Sequence, residues 1–357
     1  MGEHSTVTIG MDLGDKFCQL CVVDNASRES VEESRVPTTT AAIERYFAGR
    51  SASRIVMEVG THSGWISRKL TELGHEVLIA DPRRVRALAG DQDKDDSLDA
   101  EFLARVGCMD PKLLKPIQHR SEQTQAALTL IRARDKLVQA RTKLVNCVRG
   151  MVKTTGARLP KCASERFHKL EEQIPTVLAA ALGPVMVSIG TITQQIRCCD
   201  RLIQQKAESD YPQTGRLQQV GGIGPVTSLA YVLVIENPAR FAKSRAVGPY
   251  LGLCPRRWKS GESDPELKIS KRGDALLRRL LVSSAQYILG PFGPDSDLRR
   301  WGLVHAGGGG KNAKKRAVVA VARKLAVLLH RLWTTGEIYE PLRHAQRQLK
   351  EGLEAKA

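Results

Sequence analysis

Residues 6–24 read TVTIGMDLGDKFCQLCVVD, and this stretch decides the fold of the first part of the chain. Two apolar runs, 6–13 and 17–24, are each too short for a helix and are rich in Val, Ile and Cys. They flank Gly14-Asp15, so they predict two buried strands joined by a short turn. Working outward, Ser30–Val36 predicts a third strand and residues 40–48 a helix. Arg54–Glu58 (RIVME) predicts a short strand running into the turn Gly60-Thr61-His62-Ser63-Gly64. A helix is expected over about 65–73, and a strand at Glu76–Ala80 that ends before Asp81-Pro82. Residues 96–107 (DSLDAEFLARVG) have the pattern of an amphipathic helix. Three successive strands followed by alternating helix and strand imply an α/β domain with a mixed sheet.

Beyond residue 118 the pattern changes. From 120 to 153 apolar residues recur in seven-residue columns. These are Ala126, Ala133, Ala140 and Cys147; Leu130, Leu137, Leu144 and Met151; and Ile131, Val138, Val145 and Val152. Such columns predict a long helix with a wide coiled-coil stripe. Val185, Ile189, Ile192, Ile196, Cys199 and Ile203 predict a second. A less regular stretch with Pro160, Pro175 and Pro184 is expected between them. The two helices can pair within the chain or dimerise. Further on, Gly221-Gly222-Ile223-Gly224-Pro225 places a glycine turn before a proline helix start, as in a helix-hairpin-helix, where Gly222 and Gly224 would offer backbone N–H groups to a DNA phosphate. Basic helices follow at about 273–289 and 312–333, and the tail from about 345 looks loosely ordered.

The distribution of charge narrows the function. Of 357 residues, 42% are hydrophobic, enough for packed cores, and the net charge is +17. Residues 1–118 hold 15 Lys/Arg against 19 Asp/Glu, net −4, whereas residues 119–357 hold 40 against 19, net +21. An acidic first domain before a strongly basic remainder suits a carboxylate site acting on a polyanion held by the rest, with solvated basic surface as the alternative. No stretch approaches the roughly 18 uninterrupted apolar residues of a membrane span. The N-terminus lacks a secretory pattern, so a cytoplasmic protein is expected. Cys18 and Cys21 form a lone CxxC without further ligand spacing, which reads as buried reduced thiols. The scattered histidines suggest no role.

Four carboxylates stand out. Asp12 ends the first strand and Glu58 a later one, while Asp96 and Asp99 are three apart on one helix and share a face. Two strand-end and two helical carboxylates are how a ribonuclease-H-like fold holds a pair of Mg²⁺ ions, about 4 Å apart, on a phosphodiester. Individually each has a plainer reading. Asp12 fits a turn, or the first phosphate loop of an actin-like ATPase or sugar kinase. Asp96 fits a helix cap, with Asp99 as first-turn charge. Asp95 is adjacent and competes with Asp96.

Together IGMDLG (9–14), the glutamate of VMEVGTHSG (56–64) and KDDSLDAEFLARV (94–106) resemble the DEDD motif of the IS-one-ten family of insertion-sequence transposases. The first domain of that family resembles the RuvC junction resolvase. The family pattern Lys-Thr-Asp-x-x-Asp-Ala is here Lys94-Asp95-Asp96-Ser97-Leu98-Asp99-Ala100, with Asp95 in the threonine place. In the second half, YLGLCPRRWKSG (250–261), KISKRGDALLRRLLVSSA (268–285) and AVVAVARKLAVLLHRLW (317–333) resemble the family's C-terminal domain. The resemblance spans almost the whole chain. It implies that Ser260 is a nucleophile forming a phosphoserine link to DNA. Arg256, Arg257 and Lys259 around it would stabilise the attacked phosphate. Without the family, Ser260 reads as an ordinary Ser-Gly turn. Lys271, Arg272 and Arg278 read as contacts to the DNA backbone.

The expectation is therefore a RuvC-like metal domain (1–118), a coiled-coil dimerisation segment (119–212), a mostly α transposase domain (213–345) and a tail (346–357). The resemblance further implies target and donor DNA as substrates, guidance by a bridge RNA, and assembly from dimer to tetramer. Alternatives are a junction-resolving nuclease using water, a DNA invertase like Piv, the kinase already mentioned, and a non-catalytic nucleic-acid-binding protein.

Overall fold

The computed structural model describes residues 5–90, 96–256, 260, 261, 263, 265, 267–307 and 309–343, with the backbone alone at 96 and 97. The strands β1 (Val7–Leu13), β2 (Phe17–Asp24), β3 (Ser30–Pro37), β4 (Arg54–Glu58) and β5 (Glu76–Ala80) form one sheet in the order β3-β2-β1-β4-β5. β1 pairs antiparallel with β2 and β2 with β3, through tight connections. β1, β4 and β5 are parallel, since helices connect them. The unbroken apolar reading of β1 has its cause in this order: a central strand is covered on both faces.

One face packs against α1 (Thr40–Phe47) and α2 (Ser63–Glu72). There Ile9, Met11, Leu20, Ile55 and Met57 meet Ile43, Phe47, Ile66 and Leu70. The other face carries α4 (Asp96–Met109), whose Ala100, Leu103 and Ala104 lie over Cys21, Val23, Val56 and Ala80. A helix absent from the sequence reading, α3 (Pro82–Ala89), follows β5. Asp81 and Pro82, taken as the end of a strand, are equally a helix start. The Asp81 carboxylate accepts from the Arg83 N–H at 3.0 Å, and Pro82 occupies the first turn, where no N–H is needed. No α3 residue is fully buried and Val85 packs only partly against the core, so the helix left little apolar stripe to read. Residues 111–114 form a 3₁₀ turn, and Ile117 then bridges to Ile79, covering part of the β5 edge.

The chain divides into two compact units, 1–121 and 122–357. In the second, α5 (Glu122–Lys153) and α6 (Thr176–Ser209) pair antiparallel, as Arg134–Asp200 (2.6 Å) and Arg141–Thr193 (3.4 Å) show. The heptad columns divide by burial. Ile131, Val145 and Val152 are buried, whereas Ala126, Ala133 and Cys147 are exposed. The wide stripe expected from spacing is therefore narrower within the chain. The second helix also starts earlier than expected, so Pro184 lies inside it. It forgoes one backbone hydrogen bond there, and its exposed position lets water serve the carbonyl it cannot reach. Residues 164–173 form a 3₁₀ segment that places Phe167 in the core at the far end of the hairpin. By length and composition α6 could cross a membrane, with mean hydropathy 1.7 over 18 residues, of which 22% are buried. An uninterrupted-run criterion misses this because Gly, Ser, Thr and Gln punctuate the apolar residues.

The hairpin base shares one core with α7 (Thr214–Gln218), α8 (Pro225–Ile235), α9 (Val247–Tyr250), α10 (Ala275–Leu289) and α12 (Lys311–Thr335). α11 (Asp297–Ala306) packs against α12. α8 is buried from Thr227 to Ile235, which accounts for its unbroken apolar run. The Tyr231 hydroxyl in its centre donates to the Ala326 carbonyl at 2.6 Å. Arg279 pairs with Asp135 at 2.6 Å and Arg132 with Asp274 at 3.3 Å, joining α10 to α5.

Candidate active site

Side chains alternate across β1, so Thr8, Gly10 and Asp12 share the face that carries α4, while Ile9 and Met11 point into the opposite core. β4 runs parallel beside β1 with Met11 opposite Met57, and Asp12 and Glu58 are the next residues on the two strands. The same alternation puts Val56 and Glu58 on the α4 face. Two carboxylates thus stand at the C-terminal ends of adjacent parallel strands, on one side of the sheet.

Glycine sets the height of α4 above them. A Cβ on Gly10 would come within 1.9 Å of the Ala100 carbonyl, and one on Gly107 within 2.4 Å of Val56 Cγ2. Helix residue 107 therefore lies over Thr8 and Val56, and residues 100–104 over Gly10, so the helix runs against β1. Two strand residues advance about 6.6 Å, matched by four to five helix residues. One further step along β1, to Asp12, brings the start of α4 level with the strand ends. Asp99, on the first turn, is exposed; the side chain of Asp96, and Asp95 altogether, lie outside the described residues. Among the described residues no group of three or more His, Cys, Asp or Glu comes together as a metal cluster.

The turns leaving β1 and β4 add groups that sequence reasoning missed. His62 Nε2 lies 3.6 Å from Asp15 Oδ1, and the Trp65 indole N–H donates to His62 Nδ1 at 3.1 Å. His119 Nε2 lies 2.9 Å from Ser63 Oγ, which is itself hydrogen-bonded to both backbone polar groups of Gly60, so the turn after Glu58 is pinned from a distant segment. Burial, then the charges of Arg68 and Arg120, hold His119 below its ordinary pKa. The only sequence signal for His62 was its place four residues after Glu58. Cys18 and Cys21 are free and buried, on opposite faces of β2, so they cannot share a metal. Burial pushes the Cys18 thiol up, and the Asp12 charge acts in the same direction.

Ser260 belongs to the second unit and is exposed. An antiparallel ribbon carries it: Ser270 N–H donates to the Cys254 carbonyl at 2.8 Å, and Arg256 N–H to that of Lys268 at 3.1 Å. Ser260 and Ser263 exchange backbone hydrogen bonds of 3.2 and 3.0 Å, closing a tight turn with Gly261 at φ +55°. At the ribbon base a Cβ on Gly252 would lie 2.3 Å from Arg272 backbone atoms, and one on Gly273 2.1 Å from the Tyr250 carbonyl, so neither position admits a larger residue. Arg256, Lys271 and Arg272 are exposed around this ribbon, and Arg257 and Lys259 lie outside the described residues. Arg278 is engaged internally, donating to the Leu251 and Arg272 carbonyls at 3.0 and 2.8 Å. Burial lowers its pKa.

Gly222 and Gly224 lie between α7 and α8. Gly222 has φ +90° and packs against Tyr287, while Gly224 is exposed just before Pro225. Gly222, Gly224, Thr227, Ser283 and Tyr287 line an open groove of about 510 Å³.

Comparison with known proteins accords with this arrangement. Residues 9–156, which span the carboxylate edge, match the DEDD transposase family of IS110, and residues 214–296, which include the glycine turn and the ribbon, match the family described as "Transposase IS116/IS110/IS902 family". The chain is similar to a "Probable family 20 transposase" of Pseudomonas aeruginosa, 29% identical over 344 residues, covering 93% of this chain and 98% of that protein. It is similar to the transposase for insertion sequence element IS1111A of Coxiella burnetii, 27% identical over 355 residues (93% and 90% of the two chains). The transposase for IS1328 of Yersinia enterocolitica is 27% identical over 288 residues (78% and 82%). Two family matches in order along the chain, and relatives aligned over nearly their full lengths, make this protein a member of the IS116/IS110/IS902 family of insertion-sequence transposases.

Proposed function

We propose that the chain cuts and rejoins DNA strands with a divalent-metal site at the β1/β4 edge and a serine nucleophile on the ribbon tip. The observation that carries this reading is the antiparallel crossing of α4 over β1, with residues 100–104 over Gly10 and residue 107 over Thr8 and Val56, on the face where Asp12 and Glu58 end their strands; continued one helical turn, it would bring Asp99 towards them. The sheet order, with an antiparallel meander followed by two parallel strands, is the one a RuvC-like fold calls for. Asp12, Glu58, Asp96 and Asp99 are an all-oxygen donor set, which fits Mg²⁺. When bound, a pair of such ions supplies charge stabilisation at the attacking and leaving oxygens of a phosphodiester.

Ser260 would attack phosphorus through Oγ and displace a sugar oxygen that leaves as a hydroxyl, taking up in net the serine proton; a sugar hydroxyl of the new partner strand would later attack the phosphoserine, forming the new phosphodiester and returning the serine hydroxyl. Arg256, Arg257 and Lys259 would neutralise the attacked phosphate, but none can take the serine proton. Ser260 must therefore meet the carboxylates on one phosphodiester, and we place it there from a different protomer. The exposed Val177 (80%), Val187 (62%) and Leu202 (47%) on α6 support self-association through the helical hairpin. Backbone N–H groups near Gly222 and Gly224, with Lys271 and Arg272, would hold DNA or a structured guide RNA transcribed beside the element.

Trapping a reaction with Mg²⁺ and element-end DNA tests the reading. Wild type should form a protein–DNA adduct that Ser260→Ala abolishes, and Asp12→Ala should abolish cleavage while DNA binding persists. Mixing the two variants should restore some cleavage. Normal cleavage by Ser260→Ala, with no adduct in wild type, would replace the serine with water.

A further inference from the structure

We propose that His62 is a fixed hydrogen-bond donor to the scissile phosphodiester, a role that rests on the β1/β4 edge being where DNA is cut. The turns leaving the two carboxylate-bearing strands lie side by side. A Cβ on Gly60 would come within 4.0 Å of the Leu13 side chain, and His62 reaches back to Asp15, three residues past Asp12. The imidazole is thus held beside the strand ends by its position in the chain and by contact.

Its tautomer is set by its neighbour. An indole N–H only donates, so the Trp65 contact at 3.1 Å requires a bare Nδ1 and leaves the ring proton on Nε2. That Nε2–H is not consumed. Asp15 Oδ1, at 3.6 Å, is beyond hydrogen-bond distance, and among the described residues no closer acceptor faces it. The Asp15 side chain is 95% exposed and the His62 side chain 26%, so the donor lies at a solvent-reached edge. α2 begins at the next residue, which puts the positive end of a ten-residue helix beside the imidazole. A neutral N–H donor of fixed direction, next to a helix N-terminus and with the solvent-exposed Asp15 carboxylate beyond hydrogen-bond distance, suits a non-bridging phosphate oxygen. With Nδ1 occupied by Trp65, the ring is arranged to donate, not to remove the nucleophile's proton.

The test uses full-length protein, Mg²⁺, the RNA transcribed from the DNA flanking the gene, and a duplex spanning the element boundary. His62→Ala should slow single-turnover cleavage about 10²-fold, the usual effect of losing one preorganised donor, with DNA affinity unchanged. His62→Gln, whose amide N–H can occupy the Nε2 position, should stay within about 10-fold of wild type, and the shorter His62→Asn should resemble Ala. Nitrogen NMR of histidine-labelled protein should show a protonated Nε2 that Trp65→Phe releases to a tautomer mixture. Wild-type cleavage by His62→Ala, or a Gln variant as slow as Ala, would overturn the proposal. Should His62→Ala fail to fold, the Gln and Asn pair decides. Asp12→Ala is the separating control: if it cleaves normally, the site assignment itself fails, and if it is inactive while His62→Ala is normal, only the His62 role is lost.

Discussion

Gly10→Ala should separate the carboxylates of the proposed metal site without touching any of them. The new methyl would sit 1.9 Å from the Ala100 carbonyl oxygen and 2.5 Å from the Ala104 nitrogen, both backbone atoms of α4 that no rotamer change can move. Ordinary contact is about 3.5 Å, so the helix must retreat by about 1.6 Å. Overpacking of this kind costs about 1–3 kcal/mol, a fall in Tm of several degrees for a unit of this size. The retreat also draws the first turn of α4, with Asp96 and Asp99, away from Asp12 and Glu58. A displacement near 1 Å in a catalytic constellation costs about 10²-fold in rate. Cleavage should therefore fall about 100-fold, while DNA binding, which we assign to the basic second unit, should hold. Gly49→Ala, where nothing lies within 4 Å, is the control and should change neither property. Thermal denaturation, a gel-based cleavage assay and a binding titration suffice. Wild-type stability and cleavage in Gly10→Ala would refute the close crossing of α4 over β1, and with it the proposed grouping of the four carboxylates.

Arg141 is 5% exposed between α5 and α6, its Nε is buried without a partner, and its nearest carboxylate, Glu165, is 3.8 Å away. Arg141→Met should therefore leave Tm unchanged or raise it, and a clear loss in calorimetry would show that the guanidinium is well paired. Arg50, with Ser34 and Tyr46, pulls the Glu32 carboxyl from its ordinary 4.5 to about 2. A depressed carboxyl stabilises the fold above the unfolded value and loses that contribution as pH falls from 4.5 towards about 2. Arg50→Ala should flatten that part of the acid limb in denaturant titrations, and an unchanged limb would remove the ion pair from the account. Burial lowers the pKa of both His75 and His119, so their contribution is present above about 6.5 and is lost on acidification below it. His75→Gln should weaken that dependence in pH-resolved melting curves. Tyr231→Phe removes the bond to the Ala326 carbonyl and should cost about 0.5–1.5 kcal/mol by chemical denaturation. DNA affinity should fall steeply on a log–log salt plot, and a flat plot would make the +21 charge of residues 119–357 a solubility feature.

Much of the fold was legible because local pattern and tertiary need coincide. The apolar runs 6–13 and 17–24 could only be buried strands, and Glu58 could be placed at a strand end from RIVME alone. Where local pattern was silent or double-edged, reading failed. α3 rests on the core only through the partly buried Val85 and so left little apolar stripe, and Asp81-Pro82 serves a strand end and a helix start alike. Ala126, Ala133 and Cys147 follow a heptad as faithfully as Ile131, Val145 and Val152, yet only the second set is buried. Arg278 looked like its basic neighbours until its guanidinium was seen tied to two carbonyls.

The sequence by itself determined which residue types were available, the strand and helix periods, and the charge contrast between the halves, since these depend only on neighbours along the chain. Only the tertiary structure decided that Gly10 lets α4 descend to the sheet, that Trp65 chooses the tautomer of His62, and that Ser260 rides the tip of a ribbon. Each of these depends on a distance between atoms, set by how whole elements pack, that no local pattern encodes.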